Sequence, residues 1–160
     1  MNENKKENSF VFNANDIRQQ VTLSAEPEVQ PQDFADAFPG RDVLRKISVK
    51  LEFTSAGEEI LAHGAVSAVL SLECSRCGEP AVREYNDSFD ECFPNSVEYI
   101  DVRENIRETL SLMEPMKVLC SVNCKGRCPQ CGADLNKVKC SCEPLKASPF
   151  AALKQLRPEK

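Results

Sequence analysis

Apolar and polar residues alternate most regularly in the middle of the chain. Ile47, Val49, Leu51 and Phe53 alternate with Ser48, Lys50 and Glu52, the period of a strand with one buried face. Ser55-Ala56-Gly57 reads as a turn. A longer strand follows, in which Ile60, Ala62, Gly64, Val66, Ala68, Leu70 and Leu72 share one parity. Cys74-Ser-Arg-Cys77-Gly78-Glu79-Pro80 reads as a tight turn into a third strand, about 82–93, anchored by Tyr85, Phe89 and Phe93. These elements predict an antiparallel meander with cysteines at one corner. His63 lies opposite in parity to the apolar set, which predicts a solvent-facing histidine. Cys92 is expected to be a core thiol.

Beyond Pro94 the period changes. Val102, Ile106, Leu110 and Met113 recur at helical spacing. Asp101 and Glu104 stand at the spacing of a capping box, and Pro115 closes the helix. Arg103 and Arg107 fall on another face, read as solvated. Phe10 with Phe12, and Val21 with Leu23, suggest short strands near the start. Residues 25–42 hold three prolines and several acids, and read as a surface connection with one helical turn at Asp33–Phe38. Ser148-Pro149 predicts the start of a short helix docked by Phe150, Leu153 and Leu156. The fold class expected is α+β: an antiparallel twisted sheet or partial barrel, an amphipathic helix, and a small C-terminal zinc-stapled element. Three regions are expected: residues 1–43 as strands and acidic connection, 44–117 as the core, and 118–160 as a cysteine-rich element with a terminal helix.

Composition changes this picture in two ways. The 160 residues include nine cysteines and one histidine. Nine is odd, so internal disulfides cannot use them all. The opening MNENKKENSF has no apolar run, and Ile60–Leu72 is interrupted by His63, Gly64, Ser67 and Ser71, so neither a secretory signal nor a membrane span is expected. A cytoplasmic location follows as the expectation, and clustered cysteines there point to metal or redox chemistry. The net charge of −5 is unevenly divided. Residues 1–113 carry 11 Lys/Arg against 21 Asp/Glu, whereas residues 114–160 carry nine against four. An acidic body is joined to a basic, cysteine-rich end, two surfaces suited to different partners.

The cysteine spacing carries the chemistry. Cys128-Pro-Gln-Cys131-Gly132 can present two sulfurs to one tetrahedral Zn²⁺, and Cys140-Ser-Cys142 follows closely enough to complete the set. The Cys140-x-Cys142 spacing is tight, so Cys120 or Cys124 could replace one of that pair; four of Cys120, Cys124, Cys128, Cys131, Cys140 and Cys142 are expected to bind, with the Cys128/Cys131 knuckle among them, and six could share two metals. Cys74 and Cys77 form a second CxxC. It reads as a metal half-site, a pair completing a site with the later cysteines, or packing thiols. A zinc with four thiolates leaves no open position for catalysis. No Gly-rich phosphate loop, G-x-S-x-G or H-E-x-x-H occurs, so no enzyme and no small-molecule substrate are expected.

Four features resemble the YceD-type family. They are Cys74-Ser-Arg-Cys77 after a long strand; the Ile100-Asp101…Glu108…Leu110 helix with Pro115 after it; the run from Leu119-Cys120 through Cys124-Lys-Gly-Arg-Cys128-Pro-Gln-Cys131-Gly-Ala-Asp-Leu-Asn136; and Ser148-Pro-Phe-Ala-Ala-Leu153. The similarity covers roughly residues 44–156. It implies a role in accumulation or processing of 23S rRNA during ribosome biogenesis, with rRNA or a pre-50S particle as partner. Arg76, Arg83, Lys125, Arg127, Lys137 and Lys139 are then the candidate phosphate contacts. Alternative readings are a zinc-stabilised adaptor for a ribosomal protein or assembly enzyme, and a thiol–disulfide or metal-handling protein.

Overall fold

A computed structural model of the chain describes residues 8–142. After a 3₁₀ turn at Asn8–Phe10 come β1 (Val11–Asn13), α1 (Ala14–Gln20) and β2 (Thr22–Ala25). A 3₁₀ segment at Pro31–Ala37 leads to β3 (Leu44–Ala56), β4 (Glu59–Glu73) and β5 (Pro80–Pro94), then β6 (Tyr99–Asp101) and α2 (Arg103–Leu112). Strands β2-β3-β4-β5 form one antiparallel sheet in sequence order, and β1 pairs with β6 in a second. Among the described residues the sheets do not close into a barrel, in keeping with the antiparallel sheet expected from sequence.

The long meander follows from the alternating residues. Val49, Leu51, Phe53, Ile60, Ala62, Val66, Ala68, Leu70 and Leu72 all face inward, each no more than 5% exposed. At ~3.3 Å per residue, β4 runs for ~50 Å, so one end of the sheet lies far from the other. The inner face packs on α2 through Val102, Ile106, Leu110 and Met113, the stripe read from the sequence. The outer face is polar. His63 sits there, its Nδ1 2.8 Å from Asp90 Oδ1, and Ser67 donates to Glu84 at 2.8 Å. A bidentate pair between Arg41 and Glu114, both contacts 2.6 Å, fastens the end of α2 to the chain before β3.

Several expectations need correction. Helix α1 was not expected. Asn13 caps it by accepting from Asn15 N at 2.8 Å, and Ala14 and Ile17 are its buried residues. Seven residues with two inward positions give too short a stripe to register as periodic. The 25–42 connection is not merely superficial, because Phe34 and Phe38 are 1% and 2% exposed and the Phe34 ring meets Phe10 edge-on at 5.4 Å. Asp101 accepts from Arg103 N at 3.0 Å, but Val102 occupies the cap position and the reciprocal box is not formed. Arg103 and Arg107 are not simply solvated, since they pair with Asp101 and with Asp36 and Glu104. Cys92 is exposed, not a core thiol, and lies on the outer face opposite Leu61. The helix expected from Ser148 lies outside the described residues.

Candidate metal centre

The β4–β5 connection is a cysteine knuckle. Cys74 N donates to Glu79 O at 2.9 Å, and Gly78 N donates to Cys74 O at 2.9 Å, closing a small ring that holds Cys74 and Cys77 on one side. Gly78 follows with φ +74°, a backbone that a side chain would strain. Residues 128–132 repeat the arrangement. Cys128 N donates to Ala133 O at 2.8 Å, Gly132 N donates to Cys128 O at 2.9 Å, and Gly132 has φ +73°. In both knuckles the backbone amides two and three residues on (Arg76 and Cys77, then Gln130 and Cys131) favour the thiolate form of the first cysteine. Amides placed near sulfur are outer-shell support of the kind that metal-ligating thiolates use.

Each knuckle meets a second cysteine pair. The chain after α2 is drawn to the first knuckle by Ser75 N donating to Val118 O at 2.8 Å and Val118 N donating to Ser75 Oγ at 3.2 Å. This places Cys120 and Cys124 against Cys77 and Cys74, with Sγ···Sγ distances of 3.6 and 3.7 Å. The four sulfurs lie within 4.8 Å of one another, as do those of Cys128, Cys131, Cys140 and Cys142. Sulfurs at ~2.3 Å from a tetrahedral zinc are ~3.8 Å apart, while a disulfide needs ~2.05 Å. Both clusters could therefore hold a metal ion, and both are free of disulfides. Eight of the nine cysteines thus divide into two groups of four. Cys120 and Cys124 join the corner pair, and Cys140 and Cys142 join the Cys128 knuckle.

The two groups differ in exposure. Cys74, Cys77 and Cys124 are buried and Cys120 is half-buried, whereas Cys131 is exposed and Cys140 and Cys142 are half-buried. Without metal, each group holds one acidic thiol and at least one reluctant one. Amides of Cys120, Arg76 and Cys77 lower Cys74 to about 6, and amides of Cys131 and Gln130 lower Cys128 to about 6. The Glu79 amide favours the Cys77 thiolate, but burial and the neighbouring thiols outweigh it and push Cys77 up to about 12. Cys142 is pushed up to about 12 by Cys131 and by burial. A cation entering either group must displace the protons these thiols retain.

The cations proposed from sequence as phosphate contacts surround these clusters, and four of the six are engaged within the protein. Arg76 Nη1 donates to Cys124 O at 2.8 Å, Arg83 Nη2 to Leu119 O at 2.9 Å, and Arg127 Nε to Cys77 O at 2.6 Å. Lys137 pairs with Glu79 at 2.7 Å. Lys125 and Lys139 are exposed and have no side-chain partner among the described residues. Asn136, not singled out from sequence, holds the second cluster to the first: its Nδ2 donates to Cys124 Sγ at 3.4 Å and its Oδ1 accepts from Lys125 N at 2.8 Å. Asp134 fixes that side chain by accepting from Asn136 N and Nδ2 at 2.9 and 2.8 Å. The Asp-x-Asn spacing, usual for a local side-chain turn, was the available signal.

The family model described as large ribosomal RNA subunit accumulation protein YceD matches residues 91–157, which bears out the resemblance over that segment. A curated relative from Arabidopsis thaliana, the chloroplastic large ribosomal RNA subunit accumulation protein YCED homolog 1, is 25% identical over 154 residues, covering 69% of this chain and 46% of that protein. The Zea mays protein of the same name is 33% identical over 85 residues, covering 52% and 28%. An uncharacterized protein of Mycobacterium tuberculosis is 29% identical over 106 residues, covering 56% and 51%. The chain spans about half or less of the length of these curated relatives. No solved structure matches it. Among the described residues no helix is long and apolar enough to cross a membrane.

Proposed function

We propose that this protein, whose residues 91–157 match the YceD family model, supports accumulation of large-subunit ribosomal RNA by binding rRNA or a pre-50S particle, without catalysing a reaction. The family match carries this reading, together with its position: it covers most of the basic cysteine-rich segment, where an otherwise acidic chain has an excess of cations. The guanidinium groups of Arg76, Arg83 and Arg127 spend one edge on backbone carbonyls, and each side chain is otherwise exposed. An arginine offers five donors, so the remaining edge is available to phosphate. Zinc at Cys128, Cys131, Cys140 and Cys142 would fix the basic segment as a rigid surface, a structural role suited to four thiolate ligands. A compartment that keeps thiols reduced, such as the cytoplasm, is the setting this requires.

The test is salt-dependent retention of rRNA fragments. Lys125→Glu combined with Lys139→Glu changes two cations without touching a described internal contact. Retention should fall, and its dependence on salt should flatten. Undiminished retention by the double variant would remove that surface from the reading. A second reading, an adaptor for a basic ribosomal protein, draws on Glu84, Asp87, Asp90 and Glu91 of β5. They are exposed and have no Lys or Arg ion pair among the described residues. A protein partner that persists after nuclease treatment, and is lost when these acids are neutralised, would favour it.

A further inference from the structure

We propose that Cys74, Cys77, Cys120 and Cys124 bind a zinc ion of their own, separate from any at the Cys128 knuckle, and that this ion clamps the β4–β5 corner to the chain leaving α2. Half of the site lies outside the segment matched by the family model, which begins at residue 91. The inference is independent of the rRNA reading and of whether the other cluster is metallated.

Four observations converge on it. The corner pair has the backbone hydrogen-bond ring of the Cys128 knuckle, reproduced residue for residue on an unrelated stretch of chain. Thiols serving only as packing need no such ring. The sulfur edges of 3.6 and 3.7 Å fit a tetrahedron around zinc, and a fifth polar group, Asn136 Nδ2, is aimed at Cys124 Sγ from outside the set. The apolar support is slight: Cys74, Cys77 and Cys124 form a cluster apart from the main core, joined by Leu119 and Cys120. So small a cluster does not hold an irregular segment in place by burial alone. Finally, zinc with four thiolates carries a net charge of −2. Arg76, Arg83 and Arg127 anchor on the carbonyls of Cys124, Leu119 and Cys77, ringing the sulfurs with positive charge. A buried dianion demands that compensation, and a set of neutral thiols does not.

Sulfur-only tetrahedral sets take zinc or iron, so the experiment reads both. The full chain, purified anaerobically, is weighed by native mass spectrometry and analysed for zinc and iron. Wild type should hold two zinc ions, and Cys74→Ser/Cys77→Ser and Cys128→Ser/Cys131→Ser should each hold one. One zinc in wild type, lost from the corner variant, sustains this inference and removes the other site. A wild type holding only one zinc, which the corner variant retains, overturns it, as do iron at the corner or a mapped disulfide joining Cys74 or Cys77 to Cys120 or Cys124. Should the corner variant fail to fold, wild type answers alone. Chelation should then accelerate amide exchange at the β4–β5 turn and at residues 118–124 together. Unchanged exchange at both, with zinc removed, overturns the clamp.

Discussion

Gly126 is the point where the second cluster leans on the first, and Gly126→Ala tests that contact. Its φ is +76°, and a Cβ there would lie 3.2 Å from Arg76 O and 3.3 Å from Arg76 Cβ. Two costs follow. Holding a residue with a Cβ in a left-handed conformation costs ~1–2 kcal/mol, offset by ~0.5 kcal/mol for the stiffer unfolded chain. Pressing a methyl group onto a backbone carbonyl that is fixed by accepting from Arg127 N adds ~1 kcal/mol. The sum is ~2 kcal/mol. Gly132→Ala is the matched control, because Gly132 has φ +73° with nothing within 4 Å of its Cβ position. It carries the conformational cost alone, ~1 kcal/mol. For a chain of this size each kcal/mol lowers the melting temperature by ~2–4 °C. Gly126→Ala should therefore melt ~2–4 °C below Gly132→Ala at equal, saturating zinc. It should also lose protection of the Arg127 amide, which Gly132→Ala should keep. Equal melting temperatures with an undisturbed Arg127 amide would refute the claim that this glycine is required by close approach.

Further outcomes are expected elsewhere. In zinc-free protein, thiolate ultraviolet absorbance should show a step centred near pH 6, carried by Cys74 and Cys128. Cys128→Ser should remove part of that step, and an unchanged titration would show that the knuckle amides do not act on that sulfur. Asp101 is held below the usual carboxylate range by Arg103. Its stabilising contribution is present above the unfolded pKa of ~3.9 and is lost as pH falls through the lower folded value. Asp101→Asn should then flatten stability against pH in that acid window, by under ~1 kcal/mol because the side chain is 42% exposed. A variant with the same acid limb as wild type would contradict this. Val21, at the end of α1, has φ +65° and is 58% exposed. Val21→Gly should raise the urea midpoint by an amount equivalent to ~1 kcal/mol, and a lowered midpoint would mean that its side chain does more than its backbone loses.

How much of this was legible beforehand depends on the range of each interaction. The strands around Ile47–Phe53 and Ile60–Leu72, and the helix through Ile106 and Leu110, were readable because each element's own residues state which face is buried. The outward placement of Cys92 is also written in its own strand. Its parity on β5 is shared with Glu84, Asn86, Ser88 and Asp90, a polar set that faces out. The division of cysteines was not legible. Spacing rules act within a knuckle, and they pair Cys128 with Cys131 or Cys74 with Cys77. They say nothing about which distant pair arrives. Cys120 and Cys124 reach Cys77 and Cys74 because α2 crosses the sheet and returns the chain to the β4–β5 corner, where Ser75 and Val118 join. The cations illustrate the same limit: Arg83 and Arg127 read as free surface charge until the carbonyls of Leu119 and Cys77 are brought under them.

The two clusters also differ in when they can exist. Cys128 to Cys142 is one short loop, which can close as soon as that stretch of chain is made. The corner cluster joins residues 43 and 50 positions apart, with all of β5 and α2 between them. Chain entropy alone separates the two modestly, since each doubling of loop length costs ~0.6 kcal/mol. Topology separates them more, because the corner sulfurs meet only after the meander has paired and the helix has docked. The corner cluster is thus complete only where the sheet and the helix beneath it are assembled.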